Sequence, residues 1–327
     1  MDREVNAAVV ARKPVVAITG PTASGKSGLA VAVAEALDGT VINADSMQIY
    51  RELPVLTAAP SATERARVPH RLYGVRDAAR PCSAEAWREL ALRGIATAHA
   101  HGRLPIVVGG TGLYFRALTR GIAPIPDVPA EVRAEVRARQ QTVPPPALHA
   151  ELAAADPVMA ARLDLHDSQR VARALEVVRA TGRSLAAYQA MPDAGAAPYE
   201  TLGVLSVPPK PDVDAAVEAR FDAMLAAGAV EEVRALAARK LDPALPAMRA
   251  VGVRPLLHYV RGEIPRADAA ERAKRDTRHY AKRQLTWLRN QSPQDFCRIV
   301  RYDAQFSQND VAYILRKIRR FVLTGEA

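Results

Sequence analysis

Cysteine is scarce in this chain of 327 residues: Cys82 and Cys297 are the only two, far apart and in no metal-ligand spacing. That pattern argues against a disulfide framework or a thiolate metal centre and fits a reducing compartment. Long apolar runs are missing too, none approaching the ~18 residues that a membrane span requires. The first residues, MDREVNAAVVARK, carry two acids within four positions and no extended apolar core, so they do not read as a secretory signal. Internal repeats and low-complexity tracts are absent. The expectation is a folded, cytoplasmic protein with no membrane part.

What the chain does have is positive charge. Lys and Arg number 45 against 35 Asp and Glu, a formal net charge of +10, which favours a polyanionic partner without naming one. It also has a phosphate-binding loop. Gly20–Pro21–Thr22–Ala23–Ser24–Gly25–Lys26–Ser27 has the G-x-x-x-x-G-K-[ST] spacing, preceded by the β-branched run PVVAITG and followed by the helical KSGLAVAVAEAL. Backbone N–H groups from Ala23 to Ser27, the helix N-terminus and the Lys26 ammonium would neutralise phosphate charge. The Ser27 hydroxyl would face Mg²⁺.

Further strands are expected at 40–45, 71–75, 104–110, 201–207 and 297–303. Helices are expected at 83–102 with Ser83 as cap, at 167–182 between Asp167 and Gly182, and near the C-terminus. Alternating strand and helix predicts an α/β fold, a parallel sheet flanked by helices with ligands at the strands' carboxyl ends. Between Pro124 and a second Pro/Gly/Ala-rich hinge, helical periodicity continues with no convincing strand. The reading is a discontinuous catalytic core, 1–123 and 199–327, with an all-helical insertion at 124–198.

The apolar strand LPIVV ends in Gly109–Gly110–Thr111–Gly112, with no acid where a motor-type ATPase would hold its metal. The acid lies after the second strand instead, in INADSMQIY. Asp45 is there as a helix cap, a metal-shell acid or a general base, and Gln48 as a cap or a group for a base edge.

These stretches, with VPHRLYGV, VVGGTGLYFRALTRG, DSQRVARALEVVRATG, RFDAMLAAGAVEEVRAL, MRAVGVRPLLHYVRGE and RQLTWLRNQ, resemble the tRNA dimethylallyltransferases from about residue 14 to 291. The resemblance implies a P-loop NTPase-like core in which diphosphate is the leaving group. The donor would be dimethylallyl diphosphate, and the acceptor N6 of adenosine 37 in the tRNA anticodon loop. It implies Asp45 as the base, Thr22 and Thr111 in the reaction channel, and Arg220 on the diphosphate. It also implies tRNA contacts at Asp45, Ser46, Met47 and Gln48; at Gln169, Arg170, Val171, Ala172 and Arg173; and at Arg249 and Arg254. Arg133 is a further candidate.

The segment 271–291 holds seven Lys/Arg and two acids, half of the net surplus. Arg275, Arg278, Lys282 and Arg289 fall on one helical stripe with Tyr280 and Trp287 interleaved, the pattern of a phosphate track with stacking groups. Arg283 and Gln284 share that segment and are candidate tRNA contacts. The insertion, with eight basic and nine acidic residues over 124–198, would instead grip RNA through local clusters. One departure from the family is Leu56–Thr57–Ala58–Ala59–Pro60, where many members carry Gly-Thr-Ala-Lys-Pro. Competing readings are a small-molecule kinase, a free-adenylate prenyltransferase, and an RNA-binding module holding nucleotide as a structural ligand. No oligomerisation signal is seen, so a monomer is expected.

Overall fold

The computed structural model describes residues 13–290 and 295–325. The N-terminal stretch read above as lacking a signal lies outside them. In chain order the first part of the fold is β1 (Pro14–Thr19), α1 (Lys26–Ala36), β2 (Gly39–Asn43), α2 (Ala62–Arg67), β3 (His70–Arg71), α3 (Ala84–Ala100), β4 (Leu104–Gly109) and α4 (Gly112–Thr119). Then come β5 (Gly121–Ile122), α5 (Ala130–Thr142), α6 (Pro145–Ala155), α7 (Pro157–Ala160), α8 (Ser168–Thr181), α9 (Leu185–Gln189) and β6 (Ala194–Gly195). The chain closes with β7 (Glu200–Ser206), α10 (Lys210–Ala226), α11 (Ala229–Ala238), α12 (Val253–Val260), α13 (Arg266–Asn290), β8 (Arg298–Tyr302) and α14 (Gln308–Thr324).

Six strands form one parallel sheet in the order β3-β2-β4-β1-β7-β8. Its four central strands, β2, β4, β1 and β7, are buried on both faces along nearly their whole length, as a sheet covered by helices on each side requires. Along β1, Val15 and Ala17 enter one core with Ile42, Val107 and Trp87, while Val16 and Ile18 enter the other with Leu29, Val41 and Ile318. The period-2 pleat thus shares one strand between two helical layers.

Two strands stop earlier than the sequence suggests. β2 ends at Asn43 because the Asn43 side chain accepts the Asp45 N–H at 2.8 Å and donates to the Asp45 carbonyl at 2.9 Å, turning the chain. β3 covers His70–Arg71 alone, since Leu72 and Gly74 take left-handed φ of 66° and 63°.

The chain divides into two compact units, Met1–Thr119 with Ala197–Ala327, and Arg120–Ala196. The second starts at Arg120 where the hinge prolines suggested 124, and ends at Ala196 rather than 198. Its ends are joined by a short antiparallel ribbon, Gly121 opposite Gly195 and Ile122 opposite Ala194, and by the Arg120–Asp193 ion pair at 3.8 Å. The expectation of no strand within 124–198 is therefore corrected at β6. Gly121, with φ 93°, allows that approach; a Cβ there would lie 2.1 Å from the Ala194 carbonyl oxygen.

Within this unit α8 is capped by Asp167 and ends at Gly182, as its sequence indicates. Its buried face carries Val171, Ala172, Leu175 and Val177, whereas Val178 is only partly buried. Glu176 is buried at 1% exposure and neutralised by Arg137 at 2.7 Å and Arg173 at 3.3 Å. An unpaired carboxylate at that depth would be strongly unfavourable.

Candidate active site

The site lies at the carboxyl ends of β1, β2 and β4, within the first unit. Gly20–Ser27 runs from β1 into α1, with Ala23 at φ 63° and Gly25 at φ 81°. The loop is held from several sides. Phe306 N–H donates to the Ser24 carbonyl at 2.9 Å, and a Cβ on Gly25 would lie 2.5 Å from the Phe306 carbonyl oxygen. The Ser24 hydroxyl is buried with no hydrogen-bond partner among the described residues, and a Cβ on Gly20 would lie 2.5 Å from it.

Lys26 donates to the Pro21 carbonyl at 3.0 Å. Burial, and secondarily the Arg220 charge, push its pKa down to about 8 against an opposing pull from Asp45. Arg220, on α10, is likewise lowered by burial and supported by Asp45. Two cations and one carboxylate thus share a poorly hydrated space, an arrangement that an anion would complete.

Asp45 follows the Asn43 turn. Its Oδ1 accepts the Met47 N–H at 2.9 Å, and Oδ2 has no partner among the described residues. The turn is anchored from below by Trp87, whose Nε1 donates to the Asn43 carbonyl at 2.8 Å while its ring stacks on Tyr114 at 4.2 Å. Thr111 sits between β4 and α4. Its N–H reaches the Ala44 carbonyl at 3.3 Å, and its hydroxyl accepts the Ser46 N–H at 3.0 Å. Gly109 permits the close passage of β2, for a Cβ there would lie 2.1 Å from the Ala44 carbonyl oxygen.

Thr22, Asp45 and Arg220 line one cavity of ≈ 220 Å³. Part of its wall is apolar: Leu56, Val217, Phe221, Met224 and Val251. Sequence reading missed this wall, although Val217, Arg220, Phe221 and Met224 have the i, i+3, i+4, i+7 spacing of one helix face. Tyr280 also lines it, beside Thr111 and Gln284, its phenol pKa raised chiefly by burial.

A second groove of ≈ 800 Å³ borders the cavity and shares Arg249, Val251 and Arg283 with it. Lys240, Arg254 and Arg261 add positive charge, and Asp276 is its acid. Lys282 and Arg289 are exposed on α13.

Several expected RNA contacts are placed otherwise. Tyr280 and Trp287 do not stand on the solvent stripe. Tyr280 turns into the cavity, and Trp287 packs on Gly112, where a Cβ would lie 2.1 Å from the indole Nε1. Gln284 is 6% exposed, with both polar atoms engaged: Oε1 accepts the Thr22 N–H at 2.8 Å and Nε2 donates to the Gly110 carbonyl at 2.9 Å. Arg278 pairs with Glu218 at 2.7 Å. Gln48 donates to the Thr57 and Ala58 carbonyls at 2.8 and 3.1 Å.

In the second unit, Gln169 and Arg170 are exposed, Arg170 paired with Asp167 at 3.4 Å. Arg173 is held by Glu176, and Arg133 reaches the Val128 carbonyl at 3.4 Å. Val171 and Ala172 are fully buried, so their side chains are unavailable to RNA.

Comparison with known proteins accords with this geometry. The IPP transferase family model matches residues 48–291, and that of isopentenyl transferase matches 13–77. A tRNA dimethylallyltransferase of Rhodopseudomonas palustris (strain BisB18) is 54% identical over 289 residues, 88% of this chain and 91% of the relative. One from Rhodospirillum centenum is 56% identical over 282 residues, 86% and 90% of the two chains. Among solved structures, the tRNA isopentenylpyrophosphate transferase of Bacillus halodurans shares 31% identity with a TM-score of 0.66, covering 95% of this chain and 97% of its own. A eukaryotic dimethylallyltransferase, crystallised in snapshots acting on tRNA, shares 25% identity with a TM-score of 0.79, covering 96% and 80%. With three quarters of its length inside one family model and more than half of the aligned residues shared with relatives covered to about nine tenths, this chain belongs to the IPP transferase family and is a prenyltransferase of the tRNA dimethylallyltransferase type.

Proposed function

We propose that the chain transfers the dimethylallyl group of dimethylallyl diphosphate to N6 of adenosine 37 in the tRNA anticodon loop, releasing diphosphate. The observation that carries this reading is the single cavity joining Thr22 of the phosphate loop to Asp45, Arg220 and an apolar wall. Its polar lining suits a phosphate-bearing head and its apolar wall a short hydrocarbon tail.

The exocyclic amine is a weak nucleophile because its lone pair is delocalised into the ring. An allylic donor compensates, since positive charge on its C1 is delocalised as diphosphate departs. The N6–C1 bond forms, the C1–O bond breaks, and the leaving charge falls on groups already oriented: the loop N–H groups, Lys26 and Arg220. The released proton goes to the unpartnered Oδ2 of Asp45. Thr111, fixed against Ser46, orients the base and its loop.

Among the described residues no group of three or more His, Cys, Asp or Glu is placed to hold a metal. Mg²⁺, if bound, would be held by the Ser27 hydroxyl at the start of α1 and would add neutralisation of phosphate charge there.

RNA would follow the basic groove past Arg249, Arg254 and Arg283, with Lys282 and Arg289 tracking phosphates. Exposed Gln169, Arg170 and Arg133 of the second unit, with the half-buried Arg173, would contact the anticodon arm. The target base leaves its stack to reach the cavity, which a loop allows more cheaply than a duplex. No helix among the described residues is long and apolar enough to cross a membrane. The protein would act as a monomer in the cytoplasm, where its tRNA is.

The test combines protein, Mg²⁺, dimethylallyl diphosphate and an unmodified anticodon stem-loop, followed by digestion and mass measurement of nucleosides. A dimethylallyl gain on adenosine 37 that disappears in Asp45→Ala supports the reading. Consumption of ATP with a small acceptor, and no gain on RNA, would replace it with a kinase.

A further inference from the structure

We infer that Leu56 limits the length of the prenyl tail this enzyme accepts, acting as the fixed stop of the cavity's apolar wall. The inference rests on the placement of dimethylallyl diphosphate proposed above and adds which residue selects its hydrocarbon part.

The wall draws on three segments, with Val251 coming from the turn before α12. Val217, Phe221 and Met224 come from one face of α10, and Leu56 comes from an irregular segment between β2 and α2. An irregular segment would ordinarily be the compliant side of a pocket. Here it is pinned. Glu232, on α11, accepts the N–H of Val55 at 2.6 Å and the N–H of Leu56 at 2.9 Å, and Gln48 holds the carbonyls of Thr57 and Ala58. The Thr57 hydroxyl donates to the Leu53 carbonyl at 2.6 Å, and Ala58 has a left-handed φ of 47°.

The Leu56 side chain has little room to retreat. It is 7% exposed and abuts Gly252, where a Cβ would lie 3.1 Å from Leu56 Cδ2 and 3.2 Å from Phe221 Cε2. Gly252 has φ 90°, a conformation suited to glycine, so the backbone behind Leu56 approaches closely. A tail one isoprene unit longer would meet a side chain backed by the Gly252 main chain and carried on backbone that the half-buried Glu232 carboxylate holds in place. Close-packed walls of this kind reject extra methylenes because neither partner can move cheaply.

The experiment compares dimethylallyl diphosphate with geranyl diphosphate, which has the same head and one more isoprene unit, as donors to the anticodon stem-loop. Wild type, Leu56→Ala and the milder Leu56→Val are assayed, each checked for native circular dichroism. The expected result is a wild type that strongly favours the shorter donor. In Leu56→Ala the geranyl-to-dimethylallyl ratio of kcat/KM rises roughly tenfold or more, in Leu56→Val by less, and KM for RNA is unchanged.

A ratio unchanged in both folded variants, or a wild type that uses both donors equally, overturns the inference. So does a rise in KM for RNA with the donor ratio unmoved, which would give the wall to the adenine. If wild type transfers no dimethylallyl group to RNA at all, the donor placement itself is wrong and the inference falls with it. That outcome is distinct from an unmoved ratio in an active enzyme.

Discussion

Gln284 and Thr22, 262 positions apart in the chain, meet where the Gln284 side-chain oxygen accepts the Thr22 N–H at 2.8 Å, while its amide nitrogen donates to the Gly110 carbonyl at 2.9 Å. A residue of the basic helix α13 therefore ties the phosphate loop to the turn that carries Thr111. Substitution to Leu would leave two backbone groups without partners, at a cost of about 1–3 kcal/mol each. The expected outcome is a clear loss of thermal stability together with a lower kcat, since the loop and Thr111 lose their common reference. Glu at the same place should recover only the Thr22 half, because a carboxylate cannot donate to Gly110. Thermal denaturation and steady-state kinetics on both variants read this directly.

Lys26 illustrates how function and stability pull apart. Its folded pKa of about 8 lies below the ordinary 10.5, so the empty protein binds fewer protons than the unfolded chain between those values. The native state is therefore disfavoured below pH 8, and that penalty disappears as pH rises from 8 through 10.5. Lys26→Met should raise the melting temperature of the empty protein near neutrality, and its advantage should shrink toward pH 10.5. Transfer should nonetheless fall by on the order of 10²–10³.

The same lysine makes diphosphate binding pH-dependent. An adjacent dianion favours the ammonium, raising the pKa in the complex, so diphosphate binding takes up a proton above about pH 8. Affinity should weaken as pH rises past that value. Titration calorimetry in buffers of different ionisation enthalpy measures the uptake, and Lys26→Met should abolish it.

Asp45→Asn preserves the Oδ1 acceptor for the Met47 N–H but removes the carboxylate proposed as the base. A fall in kcat of about 10²–10⁴ is expected with the fold intact. Removing a negative charge beside Lys26 and Arg220 should also tighten diphosphate binding. Weaker diphosphate binding in this variant would argue that Asp45 acts through a metal instead.

Arg249, Arg254, Lys282 and Arg289 are exposed, and none has an ion-pair partner among the described residues. Alanine at each should weaken RNA binding and reduce the slope of log K against log salt by roughly 0.7 per lost phosphate contact. Affinity for diphosphate should be unaffected. Arg278→Ala, already paired with Glu218, should change the slope little.

The phosphate loop was legible because its function is local: strand, Gly-rich turn and helix are neighbours in the chain, and the spacing alone makes the cradle. Asp45 was legible for the same reason, at the end of an apolar strand. The caps Ser83 and Asp167 and the stop at Gly182 are nearest-neighbour chemistry as well. The parallel sheet followed from apolar runs alternating with helical ones.

What tertiary structure alone decided is which way α13 faces. Its charge period marks a basic stripe, yet Tyr280, Gln284 and Trp287 turn inward because Thr22, Gly110, Thr111 and Gly112 supply the surface they pack on. Those partners lie far away in sequence, so no periodicity within the helix could reveal them. The cavity wall is of the same kind, since Leu56, Phe221 and Val251 come from three separate segments. Local propensity determined the Gly-rich loop and the place of Asp45 after its strand, whereas long-range packing decided the shape of the cavity beside them.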